Sequence, residues 1–276
     1  MSFRYRRTYR GPLRAVILDW AGTTCDHGCL APAETFVAAF AASGVEITVA
    51  QARAPMGMAK WQHIKTITEM PSVAEAWTNQ HGRKPGHADV DAIYERFLPL
   101  QLETVARYSA LIPGTLEAVA AMRARGLKIG STTGYPRAVM DVVVEQAREQ
   151  GYDADCVISA DDTPVGRPGP FPALNALVDM SVYPVEAVVK IGDTVVDIEE
   201  GLNGGMWSVG ITTTGNEVGL SAEDWQSLDT QEQSRYRDAA ERKLYSAGAH
   251  FVIDSIADIL PVLDRIETAL ACGEKP

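Results

Sequence analysis

The chain has 276 residues, of which 46% are hydrophobic and 22% are charged, and its formal net charge is −11 at pH 7. This composition is typical of a globular protein with one large domain, or with a domain that carries an insertion. The negative charge argues against a nucleic-acid partner. No apolar run approaches the roughly 20 residues that cross a bilayer, so no membrane partner is expected.

The cysteines and the N-terminus indicate a cytoplasmic protein. Four cysteines in a chain of this size do not form a disulfide framework, which favours a reducing compartment. The segment CDHGC at 25–29 has no second pair of ligands at zinc-binding spacing, so its thiols are predicted to be ordinary small or buried ones. The basic segment at 3–14 is predicted to be a solvated tail, and a nucleic-acid arm is the alternative.

The first predicted strand covers 15–19, and a long helical block follows it. The apolar run AVIL delivers a single carboxylate, Asp19, into a turn rich in glycine and threonine. The next ~80 residues have helical spacing of apolar side chains, with proline and glycine at helix ends. A long helix at 88–108 contains Pro99, which is predicted to kink or interrupt it.

From about residue 109, helices alternate with short apolar strands. This order predicts βαβ units and a parallel sheet with helices on both faces. We therefore predict an α/β fold with a three-layer, Rossmann-like parallel-sheet core formed by 1–26 and 108–276, and an inserted all-helical cap domain at 27–107. The polar stretch around 213–235 is predicted to be a surface excursion.

Four predicted strands end in polar or charged side chains. These are Asp19, Thr133 with Gly134, Arg167, and Asp193 with Asp197. In an open α/β sheet, ligands bind at the carboxyl ends of the strands. Asp19 and Asp193 can share a Mg²⁺, while Thr133 and Gly134 can donate hydrogen bonds to phosphate and Arg167 supplies a fixed positive charge. The set predicts phosphoryl transfer, in which a carboxylate attacks phosphorus and forms an aspartyl-phosphate.

At these residues the sequence resembles the haloacid dehalogenase superfamily. Asp19 matches the nucleophile of its first motif, Thr133 the second, Arg167 the basic third, and GDTVVD at 192–197 the acidic fourth. Ala21 departs from this pattern, because most phosphatases of the superfamily carry there an aspartate that protonates the leaving alkoxide. The backbone carbonyl of Ala21 can still face the metal, but its side chain offers no proton.

The helical block offers a second reactive group, Lys60. In PMGMAKWQHI at 55–64, Met56 and Ile64 lie four residues on either side of Lys60 and are predicted to share its helix face, with His63 adjacent. A lysine among apolar side chains has its pKa lowered, which frees the neutral amine to form a Schiff base with a carbonyl. Taken alone, an exposed lysine on an amphipathic helix is the better interpretation. The combination with Ala21 favours the Schiff base.

Together these segments closely resemble the phosphonatase family, whose members cleave the carbon–phosphorus bond of phosphonoacetaldehyde. The resemblance runs through DWAGTTCDHGCLAP, PMGMAKWQHI, GSTTGYPRAVMD, GRPGPFP and KIGDTVVDIEEGLNGGMWSVG, and it departs at His27, where a tyrosine is expected. It implies that Lys60 condenses with the aldehyde, that Asp19 attacks phosphorus, and that acetaldehyde and phosphate are released. The implied setting is the degradation of 2-aminoethylphosphonate.

The same resemblance implies roles for the other candidate residues. His63, Met56, Tyr135 and Cys29 are expected near the imine, although a packing role for His63 is almost as good an interpretation. Asp19, Asp193 and the carbonyl of Ala21 are expected to bind Mg²⁺, with Asp197 orienting the water ligands of the metal or hydrogen-bonding the second motif. The expected assembly is a homodimer formed through the cap.

Two other functions compete with this interpretation. A phosphomonoesterase or phosphomutase of the same fold would need an acid where Ala21 stands, and it would have no use for Lys60. A catalytically inactive module that binds a phosphorylated ligand or a partner is disfavoured by the intact Asp19, Thr133, Arg167 and Asp193.

Overall fold

The computed structural model describes residues 8–276, so the first part of the basic N-terminal segment lies outside the described residues. Within that range six strands form one sheet. They are β1 (Ala15–Leu18), β2 (Lys128–Thr132), β3 (Cys156–Ile158), β4 (Val188–Gly192), β5 (Trp207–Ile211) and β6 (Phe251–Ile253). The strand order is β3-β2-β1-β4-β5-β6, and all neighbours run parallel.

Twelve α-helices connect and cover the strands in the described range. They are α1 (Leu30–Ala41), α2 (Val49–Arg53), α3 (Lys60–Glu69), α4 (Pro71–His81), α5 (His87–Val105), α6 (Thr115–Ala124), α7 (Arg137–Glu149), α8 (Phe171–Asp179), α9 (Val195–Asn203), α10 (Ala222–Ser227), α11 (Thr230–Ser246) and α12 (Ile259–Cys272). Within residues 8–276, none of these helices combines the length and apolar character that a bilayer span requires.

The sheet is the middle one of three layers, with helices packed on both of its faces. The side chains of β1 illustrate this arrangement. They alternate between two hydrophobic clusters: Ala15 and Ile17 pack on the side of α8, whereas Val16 and Leu18 pack on the side of α6 and α12. A strand covered on both faces is apolar at every position, which is why AVIL has no polar member. The predicted α/β fold with a Rossmann-like parallel sheet is confirmed.

Helices α1 to α5 all lie between β1 and β2 in the chain. The ring centroids of Phe36 on α1 and Phe97 on α5 are 4.5 Å apart. Helix α5 runs through Pro99 without a break. Of the predicted kink or interruption, the interruption is therefore wrong and the kink stays a prediction. Pro99 has no N–H to donate to the Glu95 carbonyl. Both residues are exposed, so water can bond this carbonyl instead. The assignment of 27–107 as a separate cap domain stays a prediction.

The sheet order brings β1 and β4 side by side at the point where the chain changes direction along the sheet. Leu18 is paired with Ile191, and the backbone N–H of Asp19 donates to the Ile191 carbonyl at 2.9 Å. Asp19 follows β1 and Asp193 follows β4, so both carboxylates stand at the carboxyl edge of the sheet. Ligands bind at this crevice in open α/β sheets.

Candidate active site

Three carboxylates meet at the carboxyl edge of the sheet. Oxygen atoms of Asp19, Asp193 and Asp197 lie within 4.8 Å of one another, and all three residues are buried. Asp197 is held by the first turn of α9, because its Oδ2 accepts a hydrogen bond from the Thr194 hydroxyl at 2.6 Å. The structure therefore brings together the acids of the first and fourth motifs.

Arg167 joins two of these acids. Its Nη1 donates to Asp19 Oδ1 at 2.9 Å and also to Asp197 Oδ1, while its Nε donates to the Gly57 carbonyl at 3.1 Å. Burial opposes the guanidinium charge, but Asp197 and Asp19 raise the pKa of Arg167 above its ordinary value. Arg167 thus remains charged and fixes the carboxylate of Asp19. Since Asp197 bonds Arg167 rather than Thr133, its predicted hydrogen bond to the second motif is not observed.

The sequence interpretation missed a second buried cation, Lys190 on β4. Its Nζ lies 3.0 Å from Asp197 Oδ1 and 3.1 Å from Glu200 Oε2, and it donates to the Thr132 hydroxyl at 2.8 Å. Burial alone would raise the pKa of Asp197, but Arg167 and Lys190 hold it below its ordinary value. A lysine inside the otherwise apolar strand VVKIG was the available signal, because buried charges are almost always paired.

The charges of this cluster fit a divalent cation. Arg167 and Lys190 face four carboxylates, those of Asp19, Asp193, Asp197 and Glu200, which leaves two negative charges in a buried site. Burial, followed by repulsion from Asp19, raises the pKa of Asp193 well above its ordinary value. Hard oxygen donors with a net charge of −2 are the ligand set that Mg²⁺ prefers.

The backbone around Ala21 lies against the same acids. Gly22 has a φ of 82°, and a Cβ atom at this position would clash with the carboxylate of Asp193. A glycine is therefore required for the chain to pass so close to Asp193. This approach fits the prediction that the neighbouring Ala21 carbonyl is a metal ligand.

Thr133 and Gly134 follow β2 at the opposite side of Asp19. Thr133 Oγ1 accepts a hydrogen bond from the Tyr135 backbone N–H at 3.1 Å, which leaves the hydroxyl proton of Thr133 available to a phosphate oxygen. At Gly134 a Cβ atom would clash with the carbonyl oxygens of Met58 and Gly57. Only glycine allows the turn before α3 to touch this strand end, and that contact places Lys60 beside the core.

Lys60 is the first residue of α3, and its side chain is buried. Its Nζ lies 4.7 Å from the ring centroid of Tyr135 and 5.5 Å from that of Phe36. Among the described residues it makes neither a hydrogen bond nor an ion pair. Burial lowers the pKa of Lys60 from 10.5 to about 8. The site therefore makes the neutral amine easier to reach than it is in a free lysine side chain.

Met56 does not share the helix face of Lys60, and this prediction is wrong. Residues 54–58 form turns, and the helix begins only at Lys60. Pro55 and Gly57 explain the difference, since both residues disfavour a helix interior. Met56 is buried nevertheless. Its expected position near the imine stays a prediction.

His63 of α3 is held by residues of two other helices, Ala52 of α2 and Phe36 of α1. Its Nε2 lies 2.8 Å from the Ala52 carbonyl, so this nitrogen carries the proton, and the buried Nδ1 has no partner in residues 8–276. Burial, with the Lys60 charge as a second cause, lowers the pKa of His63 well below its ordinary value. His63 is therefore neutral, and its ring packs on Phe36 at 3.8 Å between centroids.

Cys29 and Tyr135 are both buried. Burial, with Asp193 as the next cause, raises the pKa of the Cys29 thiol well above its ordinary value, so the thiol stays protonated. The Tyr135 hydroxyl is buried without a hydrogen-bond partner in the described part of the chain. Because the centroid of the Tyr135 ring lies 4.7 Å from Lys60 Nζ, this hydroxyl is a candidate contact for a ligand bound beside Lys60.

Comparisons with known proteins agree with this geometry. Residues 13–205 match the family of haloacid dehalogenase-like hydrolases. A protein from Nitratidesulfovibrio vulgaris named phosphonoacetaldehyde hydrolase is 46% identical over 274 residues, covering 99% of this chain and 98% of that protein. A protein of the same name from Vibrio cholerae is 47% identical over 267 residues, covering 96% of this chain and 98% of that protein. The crystal structure of a phosphonoacetaldehyde hydrolase-like protein from Oleispira antarctica superposes with a TM-score of 0.98 at 43% identity, and the match covers 100% of both chains.

Proposed function

Because this chain belongs to the phosphonoacetaldehyde hydrolase family of haloacid dehalogenase-like hydrolases, we propose that it hydrolyses phosphonoacetaldehyde to acetaldehyde and phosphate. The reaction uses a Schiff base on Lys60 and an aspartyl-phosphate on Asp19. The single observation that carries this proposal is the environment of Lys60. Its amine is buried, has no ionic partner in residues 8–276 and lies beside the proposed phosphoryl-transfer site.

The buried amine solves the difficulty of the carbon–phosphorus bond. Direct cleavage would release a carbanion, which is prohibitively unstable. When the neutral Lys60 amine condenses with the aldehyde, water leaves, and the protonated imine can accept the electron pair of the breaking bond. The departing fragment is then a neutral enamine. No acid is needed to protonate a leaving oxygen, which explains why Ala21 suffices where phosphatases of this fold carry an aspartate.

Asp19 is the group placed to attack phosphorus. Arg167 binds Asp19 Oδ1, so the other carboxylate oxygen can act as the nucleophile. The Thr133 hydroxyl and the Gly134 backbone would hold phosphate oxygens. Mg²⁺, held by Asp19, Asp193 and the Ala21 carbonyl, would neutralise the phosphonate and so lower the repulsion that the attacking carboxylate meets.

The cycle ends with two hydrolyses. The enamine takes up a proton at carbon and returns to an imine, and water then releases acetaldehyde and the free Lys60 amine. A second water molecule cleaves the aspartyl-phosphate, which frees Asp19 and phosphate. The neutral His63 and the Tyr135 hydroxyl are the candidate groups near the imine for these proton transfers.

The proposed setting is the one that the resemblance of the sequence implies. We place the enzyme in the degradation of 2-aminoethylphosphonate, in the cytoplasm, as a homodimer formed through the helices of 27–107. A small-molecule phosphonate is the only partner this function requires.

Reductive trapping tests the proposal. Borohydride added together with phosphonoacetaldehyde should attach a two-carbon adduct to Lys60 and abolish activity, and mass spectrometry of the digested protein locates the adduct. Lys60→Arg should neither turn over nor be trapped. Lys65→Met is the matched control, because Lys65 is paired with Glu69 at 2.6 Å on the outer side of the same helix. Loss of activity with Lys60 unmodified would refute the Schiff base.

A further inference from the structure

Arg53, at the end of α2, bonds to two separate parts of the chain. Its Nη1 donates to the Gly28 carbonyl at 2.8 Å and to Asn216 Oδ1 at 3.1 Å, and its Nη2 donates to the Gly219 carbonyl at 3.1 Å. Gly28 lies in the segment that leads from β1 into α1, whereas Asn216 and Gly219 belong to the loop after β5. One side chain therefore ties the helical block to the sheet.

The partners of Arg53 are carbonyl and amide oxygens. Among residues 8–276 no carboxylate forms an ion pair with it, so the contact does not serve to neutralise an acid. A guanidinium group is planar and presents its donors in a rigid fork, and it therefore fixes the relative positions of the oxygens it binds. Arg53 therefore constrains the geometry of the loop at 212–219.

This loop ends at the proposed metal site. The backbone N–H of Asn216 donates to Asp193 Oδ2 at 2.7 Å, so Asn216 accepts from Arg53 through its side chain and holds Asp193 through its backbone. Thr214 adds a second link, because its hydroxyl donates to the Gly22 carbonyl at 2.8 Å, next to Ala21. Both proposed metal-binding segments, at 21–22 and at 193, are thus held by the loop that Arg53 fixes.

The loop was predicted to belong to a surface excursion, and for 212–216 this prediction is wrong. Residues 212–216 are buried, with Asn216 only 4% exposed. Their polar side chains resemble those of a surface loop in the sequence, but Asn216 Oδ1 accepts from Arg53, and the Thr214 hydroxyl donates to the Gly22 carbonyl. The buried Thr213 hydroxyl has no partner among residues 8–276.

We propose that Arg53 is a positioning residue that sets the affinity of the metal site. When α2 lies on the sheet, Arg53 orders the loop at 212–219, and Asn216 then orients the carboxylate of Asp193 toward the cation. The inference rests on the metal role of Asp193 in the proposed function. It makes cation affinity depend on a residue of the helical block that touches neither the metal nor the substrate.

Mg²⁺ binding measured by titration calorimetry without substrate tests this role. Arg53→Ala should weaken Mg²⁺ binding at least tenfold, and Asn216→Ala should also weaken it. The double variant should bind Mg²⁺ no more weakly than Arg53→Ala alone, because both changes remove the same contact. Guanidinium chloride at about 20 mM should restore part of the affinity of Arg53→Ala, whereas equal sodium chloride should not. Arg96→Ala is the matched control, because Arg96 lies in the same helical block and its Nη1 bonds only Ser43 Oγ there.

The outcomes separate this inference from the proposed function. A folded Arg53→Ala that binds Mg²⁺ within twofold of the wild type overturns the inference and leaves the proposed function intact. A wild-type protein that turns over the substrate but binds no Mg²⁺ overturns both the metal assignment and this inference. If Arg53→Ala does not fold, Arg53→Lys is tested in its place, because lysine keeps the positive charge but lacks the forked donors of the guanidinium. An Arg53→Lys variant with unchanged Mg²⁺ affinity would also overturn the inference.

Discussion

Lys60→Met is expected to stabilise the protein, because the wild-type lysine is held in an environment that disfavours its charge. The pKa of Lys60 is about 8 in the folded chain, against 10.5 for a free side chain. Each tenfold change in acidity corresponds to about 1.4 kcal/mol, so the folded state disfavours the ammonium by about 3 kcal/mol at pH 7. Methionine is similar in length and carries no charge, and it removes this cost.

The pH dependence distinguishes this cause from a general gain in packing. Between pH 8 and pH 10.5 the unfolded chain binds a proton at Lys60 and the folded chain does not, so the wild type gains stability as the pH rises through this window. The advantage of Lys60→Met should therefore be about 3 kcal/mol below pH 8 and should shrink to roughly 1 kcal/mol at pH 10.

Urea unfolding of both proteins at pH 7 and pH 10, without metal, measures the difference. Lys65→Met, which replaces a lysine in a surface pair, should change the free energy of unfolding by less than about 0.5 kcal/mol at pH 7. An equal difference between Lys60→Met and the wild type at the two pH values would refute the reasoning, and so would a less stable Lys60→Met.

Three further predictions concern the metal, the second buried cation and the tyrosine. Chelation of Mg²⁺ should abolish turnover and its return should restore it; full activity in the chelator contradicts the metal assignment. Lys190→Met should lower the free energy of unfolding by about 3–5 kcal/mol in urea, because it leaves Glu200 without a cation and Asp197 with Arg167 alone among the described residues, and adding Glu200→Gln should recover part of the loss. Tyr135→Phe should leave stability unchanged or raise it by about 1 kcal/mol, since the hydroxyl has no partner among the described residues, while KM rises; an unchanged KM would exclude substrate contact.

The sequence was sufficient to predict the fold and the acidic half of the site because both depend on local patterns. Apolar strands that end in acids show directly which side chains stand at the edge of a parallel sheet. Asp19 and Asp193 meet for that reason, since adjacent parallel strands end at the same edge.

The residues that were missed depend on contacts between distant parts of the chain. Arg53 and Asn216 are 163 positions apart, and neither belongs to a recognisable motif. The burial of Lys60 is similar, because helical periodicity alone favours an exposed lysine and only the approach of the core at Gly134 covers it. Lys190 could be recognised in the sequence as a charge in an apolar strand. Its ion-pair partners on α9 could not be predicted, because only the folded chain brings that helix against β4.

The position of Lys60 at the first turn of α3 has an electrostatic consequence for the whole catalytic cycle. The N-terminus of a helix carries a partial positive charge, and the side chain of the first residue points back toward that end. A positive charge there is disfavoured by roughly 0.3–1 kcal/mol, in the same direction as burial. The penalty would fall on the ammonium and on the proposed protonated imine alike, so the helix would favour both the amine that starts the proposed reaction and the hydrolysis that returns it. In the proposed cycle, the peptide dipoles of α3 therefore oppose a stalled covalent adduct.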